Sequence, residues 1–227
     1  METIIIGVDE AGRGPLFGDV YTSAVILPVD NFDRTILKDS KKYSSHKKIA
    51  EAYDYIIENC LSYSIDYMTH HEIDKYNILQ ATQKSMHASI RKVINVEIEK
   101  IKMNNAENNN INLRQIIKDF FQKLLILVDG NYFKPFTYLY EDELYSIKHE
   151  CVIKGDHLHK EISAASILAK VSRDKYITTF VEDNPEYEEK YKLSKNKGYG
   201  TKEHREGIKK YGYSEFHRKT FKLKEMG

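Results

Sequence analysis

The 227-residue sequence predicts an α/β domain followed by a small helical extension. Two observations carry this. Short β-branched apolar runs alternate with segments whose apolar residues recur at helical spacing. Beyond Pro185 the composition turns sharply basic, which places the domain at residues 1–185 and the extension at 186–227.

Taken in order, Thr3–Val8 and Asp19–Leu27 are apolar, β-branched runs that predict two strands joined by a glycine-punctuated turn. Ile49, Ala52, Tyr53, Ile56 and Ile57 make Ser44–Cys60 a helix, and the alternation of Leu61–Met68 makes it a third strand. Thr69 and Glu72 have capping-box spacing and open a further helix. Asn77–Lys102 is a long helix with Ile78, Ala81, Met86, Ile90, Val93 and Ile94 facing the core. Residues 104–112 hold six asparagines without apolar period and read as an exposed insertion. Leu124–Val128, an unbroken apolar run before Asp129-Gly130, is expected as a buried central strand. Residues 132–145 look aromatic and irregular, and His149–Ile153 a short strand. Glu161–Phe180, alanine-rich and glycine-free, is a helix.

An apolar fraction of 41% supports a sizeable core, and the longest apolar runs fall far short of a membrane span. Cys60 and Cys151 stand alone, with no Cys-x-x-Cys pair, so neither a disulfide framework nor a structural zinc site is expected and the setting is taken as reducing and intracellular.

The acids carry the chemistry. Asp9 and Glu10 are adjacent at the end of an apolar strand, before a turn with Gly12 and Gly14. Alone, the pair is explained as well by a solvated strand-end turn. Neighbouring strand residues point to opposite faces, so the two can share an ion only if the strand ends or bulges there. Asp129 ends a second apolar run and Asp156, in Lys154-Gly155-Asp156, follows a third. Open α/β sheets place ligands at the carboxyl ends of strands, and four hard oxygen donors suit Mg²⁺ or Mn²⁺ better than zinc. The spacing Gly12-x-Gly14-x-x-x-Gly18 is wrong for a dinucleotide fingerprint, and no phosphate-loop motif is present. His70-His71 and His157-x-His159 lack supporting metal ligands and read as surface histidines.

The net charge of +1 hides segregation. Residues 192–224 carry eleven Lys and Arg against three Glu, and residues 34–48 carry six against one Asp. The first stretch interleaves aromatics and glycines, including Lys197-Gly198-Tyr199-Gly200 and Phe216-His217-Arg218, as a phosphate-tracking groove with stacking platforms would. Acids for cations beside arms for phosphates suit a nuclease or nucleotidyl transferase. A binding module without catalysis remains an alternative from a different class.

The ordered segments Asp9-Glu10-Ala11-Gly12-Arg13-Gly14-Pro15-Leu16, Leu37-Lys38-Asp39-Ser40-Lys41-Lys42, Asn77-Ile78-Leu79-Gln80-Ala81-Thr82, Val128-Asp129-Gly130, Lys154-Gly155-Asp156, Ile162–Asp174, Lys197–Thr201 and His217–Phe221 resemble ribonuclease HII over nearly the whole chain. The resemblance implies an RNase H-like fold with a central mixed sheet flanked by helices. It implies that Asp9, Glu10, Asp129 and Asp156 bind two divalent ions, Mg²⁺ or Mn²⁺, and hydrolyse RNA in RNA/DNA hybrids and at single ribonucleotides in duplex DNA. Gly12, Arg13, Gly14 and Tyr199 take the positions that recognise the 2′-hydroxyl, with Lys41 and Asn77 as weaker candidates for phosphate contacts. Asp174 is read as supporting the site rather than binding an ion. Phe17-Gly18-Asp19 departs from the family and resembles ribonuclease HIII in part, which keeps a hybrid-specific HIII-like enzyme as an alternative. With no clamp-binding motif at the C-terminus, a monomer is expected.

Overall fold

The computed structural model describes residues 2–38, 43, 45–106 and 112–223. The elements run β1 (Ile4–Ala11), β2 (Val20–Ile26), a short 3-10 turn (Arg34–Ile36), α1 (His46–Asn59), β3 (Ser62–Met68), α2 (His70–Tyr76), α3 (Ile78–Asn104), α4 (Leu113–Lys123), β4 (Leu124–Asp129), β5 (Phe136–Tyr140), β6 (Glu143–Val152), α5 (Gly155–Leu158), α6 (Lys160–Asp183), α7 (Pro185–Tyr191), α8 (Leu193–Asn196) and α9 (Lys202–Tyr211). The strands form one sheet in the order β3-β2-β1-β4-β6-β5. The β1–β2, β2–β3 and β5–β6 pairs are antiparallel, while β1–β4 and β4–β6 are parallel, so the sheet is mixed.

Strand alternation sorts the core into two layers. Ile6, Val8, Ala24, Ile26, Ile126 and Val128 join α3 and α4 on one face, while Val25 and Leu27 join α1 and α6 on the other. Gly7 faces α6 so closely that a Cβ there would run into the backbone of Glu161. Without a side chain at Gly7, α6 can lie directly over β1, which brings polar residues of the helix beside Asp9.

The capping box of Thr69 and Glu72 forms as its spacing predicts. Elsewhere the sequence reading needs correction. Residues 132–135 are irregular as expected, but from 136 on β5 and the first part of β6 form a hairpin, with Phe136 and Tyr138 buried. Exposed Leu139 and Leu144 blur the period-two signal that would have revealed it. Helix α4 was hidden beside the asparagines, one of which, Asn112, caps it by accepting from the Gln115 N–H. Ile117, Phe120 and Phe121 anchor that helix in the core. His70 is buried rather than a surface residue, its ring next to Asp19.

The basic C-terminal segment does not stand apart. Leu193 and Ile208 are buried with Leu16, Phe17 and Ile177, giving this segment a common core with the β1–β2 connection and the end of α6. Phe17 also forms an isolated antiparallel bridge with His217. Among the described residues, no helix is long and apolar enough to cross a membrane.

Candidate active site

Asp9 and Glu10 lie where β1 outlasts its neighbour. Pairing with β4 reaches only Val8–Val128, whereas pairing with β2 continues through Asp9, Glu10 and Ala11. Of the two expected irregularities, a strand end or a bulge, the register with β2 shows no bulge, and the opening arises because β4 stops first. Asp9 points toward α6, and Glu10 lies across from Thr22. Both line one cavity of about 630 Å³ at this end of the sheet.

Asp129, the last residue of β4, and Asp156 line the same cavity. Asp156 is on the helical turn α5 rather than at a strand end, because β6 stops at Val152 and Lys154 takes a left-handed conformation (φ 57°) that turns the chain. Asp129 Oδ1 accepts the Gly155 N–H at 2.7 Å, tying this turn to β4. The four acids come from β1, β4 and α5, three elements far apart in sequence.

The cavity concentrates buried negative charge. Burial, then the charges of Glu10 and Asp129, hold the Asp9 carboxyl well above the usual carboxylate range, against a hydrogen bond from Ser166. Burial pushes Glu10 upward too, opposed by Arg13, whose guanidinium lies 3.3 Å away. Buried carboxylates that raise one another are costly unless positive charge lies among them. Among the described residues, no three acidic, histidine or cysteine side chains are gathered closely enough to hold an ion. The donor chemistry of the four acids nonetheless fits a divalent ion.

Gly12, Arg13, Gly14 and Tyr199 line the cavity with the acids, as do Lys154, Lys170, Lys195 and Lys197. Gly12 has φ +94°, and a Cβ there would collide with the Arg173 side chain. The Tyr199 ring packs against Gly14, 3.4 Å from where a Cβ would lie. Asn77 is elsewhere: it caps α3, its Oδ1 accepting the Gln80 N–H at 3.0 Å, and does not line the cavity. Lys41 is outside the described residues. Asp174 borders the cavity, where Lys170 donates to it at 2.8 Å.

Two buried arginines hold the turn from behind. Arg218 donates to the carbonyls of Gly12, Arg13, Pro15 and Gly18, and Arg173 to those of Phe17, Asp19 and Lys197. Arg218 is therefore a structural residue and not part of an exposed phosphate groove, as the sequence had suggested. Ser166, Lys170 and Arg173 also line the cavity, although no motif marks them individually as site residues. Their i, i+4, i+7 spacing puts them on one face of α6, a signal present in the sequence.

The mixed six-stranded sheet with helices on both faces defines the class: an RNase H-like α/β fold. Solved structures with this fold include the PCNA:RNase HII complex from Archaeoglobus fulgidus (TM-score 0.61, 20% identity, covering 97% of this chain and 96% of that one). A second is ribonuclease H2 from Pyrococcus horikoshii OT3 (TM-score 0.61, 23% identity, 97% and 94% covered). More distant is Bst-RNase HIII in complex with Mn²⁺ (TM-score 0.51, 17% identity, 80% and 55% covered). The family model for ribonuclease HII matches residues 6–224. The ribonuclease HII of Christiangramia forsetii is 39% identical over 220 residues, covering 96% of this chain and 90% of that protein. That of Francisella tularensis subsp. novicida is 41% identical over 219 residues, covering 96% of each. The chain belongs to the ribonuclease HII family and is a ribonuclease H, a hydrolase of the nuclease class.

Proposed function

We propose that the protein hydrolyses the RNA strand of RNA/DNA hybrids and nicks 5′ of single ribonucleotides embedded in duplex DNA, leaving 3′-hydroxyl and 5′-phosphate ends. The observation that supports this best is one cavity lined both by four acids and by the Gly12-Arg13-Gly14 turn with Tyr199. The reacting phosphate and the sugar beside it are thus read at the same place.

Asp9, Glu10, Asp129 and Asp156 would hold two divalent ions, Mg²⁺ or Mn²⁺. When bound, such ions make water a stronger nucleophile and stabilise a departing oxygen. Ser166 keeps Asp9 oriented, and the Gly155 N–H does the same for Asp129. Arg13, Lys154, Lys195 and Lys197 supply positive charge for flanking phosphates. Telling RNA from DNA needs contact with the 2′-hydroxyl, and a turn flanked by glycines brings backbone groups within reach of it. The exposed ring of Tyr199 can pack on the next sugar and disfavour a second 2′-hydroxyl there. Every one of these groups comes from a single chain, so a monomer suffices.

The test is incubation with Mg²⁺ and two substrates, a DNA duplex with one embedded ribonucleotide and an all-RNA/DNA hybrid. A nick on the 5′ side of the lone ribonucleotide is expected. Cleavage of the hybrid alone would favour the HIII-like alternative, and binding without cleavage of either would favour a non-catalytic module.

A further inference from the structure

Against the main chain of Tyr199, and not in the cavity lining, lie two histidines that the chemistry above does not use. His204 and His217 are both fully buried, and their Nε2 atoms are 3.0 Å apart. Two neighbouring contacts determine where the protons sit. The Ser214 backbone N–H donates to His217 Nδ1 at 2.9 Å, which leaves that nitrogen unprotonated and puts the proton on Nε2. His217 Nε2–H then donates to His204 Nε2. His204 in turn carries its proton on Nδ1, 2.9 Å from the Tyr199 carbonyl oxygen, to which it donates. A proton added to either ring would set two N–H groups face to face. Burial disfavours that charge as well, and holds both imidazoles below the usual histidine range.

We propose that His204 and His217 are positioning residues for substrate selectivity: their chain of neutral imidazoles, anchored at Ser214, fixes the backbone of Tyr199 and so the placement of its ring over the sugar. The geometry around Tyr199 supports this. The same carbonyl accepts the Thr201 N–H at 2.8 Å, the Tyr199 N–H donates to the Asn196 carbonyl at 2.9 Å, and the Gly198 carbonyl accepts the Leu16 N–H at 2.8 Å. The Tyr199 ring itself is 48% exposed, with Gly14 and the Arg173 guanidinium, 5.9 Å from the ring centroid, as its neighbours in the cavity wall. The ring is carried by its main chain, and His204 is a buried side chain that grips the carbonyl of that main chain. His217 also meets Phe17 edge-on at 5.1 Å and bridges to it, coupling the chain to the far end of the glycine turn.

This inference rests on the reading of Tyr199 as the sugar-contacting residue. The test compares kcat/KM for the embedded-ribonucleotide duplex with that for the all-RNA hybrid, in the full chain with Mg²⁺, for wild type, Tyr199→Ala, His204→Phe, His204→Asn and the double variant Tyr199→Ala/His204→Phe. His204→Phe should lower the ratio about tenfold, the weight of one buried hydrogen bond. His204→Asn places an amide N–H where Nδ1–H was and should recover the ratio to within about threefold of wild type. The double variant should match Tyr199→Ala, since both act through one ring. A Tyr199→Ala ratio equal to wild type would overturn the reading of Tyr199, and the proposal with it. A lowered Tyr199→Ala ratio with an unchanged His204→Phe ratio would overturn the proposal alone, as would equal loss on both substrates. Nitrogen-15 NMR of the wild-type imidazoles offers a readout independent of activity and of variant folding. The proton is expected on Nδ1 of His204 and Nε2 of His217, and the reverse assignment would overturn the chain.

Discussion

Asp129 illustrates how much rides on single atoms. It holds a place in the acid cluster and accepts the Gly155 N–H. Asp129→Asn preserves shape but removes charge, so cleavage should fall more than a hundredfold, the several kcal/mol expected of a lost cation ligand, while hybrid binding measured by anisotropy is retained. Gly12→Ala should cost about 3 kcal/mol in urea unfolding, because its left-handed φ and its contact with Arg173 both refuse a Cβ. The histidine pair makes stability depend on pH. His217 is pushed down to about 3 from an ordinary value of 6.5, first by burial and then by His204 and His70. Below 6.5 the unfolded chain therefore binds a proton that the folded chain does not. The stability due to the neutral imidazole is whole above pH 6.5 and is lost as pH falls toward 3, by up to about 1.4 kcal/mol per pH unit. The urea midpoint should drop between pH 7 and 5, and less steeply in His217→Phe. The adjacent acids were plain in the sequence at this scale. The histidines were not, since nothing in their separation of thirteen residues says that their rings meet.

At the scale of elements, caps and amphipathic faces were legible where one local signal acted alone. The Thr69–Glu72 box is such a case, as is α3 with its buried Ala81, Met86, Ile90, Val93 and Ile94. Asn77, by sequence a weaker candidate for a phosphate contact, caps α3 at φ 64°. Asn77→Ala should cost about 1 kcal/mol in thermal unfolding, and Asn77→Gly, which accepts a positive φ, only a few tenths. Unchanged kcat/KM on hybrid in both variants would assign it to the helix alone, and a shared loss would return it to substrate contact. The β5–β6 hairpin escaped notice for a different reason. Its outward face carries Leu139 and Leu144, so the alternation of apolar and polar residues that marks a half-buried strand is missing.

For the whole molecule, near-zero net charge says little about partners. The cavity gathers Arg13, Lys154, Lys195 and Lys197 beside the acids, whereas Arg173 and Arg218 are spent inside the protein. Binding of hybrid by the Asp129→Asn variant should therefore weaken with salt at a log–log slope of only about −3, as for three to four phosphate contacts. A slope twice as steep would mean that the outer lysines of α9 take part. The sequence by itself determined the alternation of strands and helices, the acid pair at the end of β1, the glycine turn and the family, because each is written in neighbouring residues or in ordered motifs. Only the tertiary structure decided that β4 stops one residue short of Glu10's level, that Arg173 and Arg218 turn inward, and that two histidines meet behind Tyr199. The physical reason is range. Propensity and periodicity act over a few residues, but a cavity is made where strands distant in sequence end together, and a buried charge is recognised only by the carbonyls that surround it.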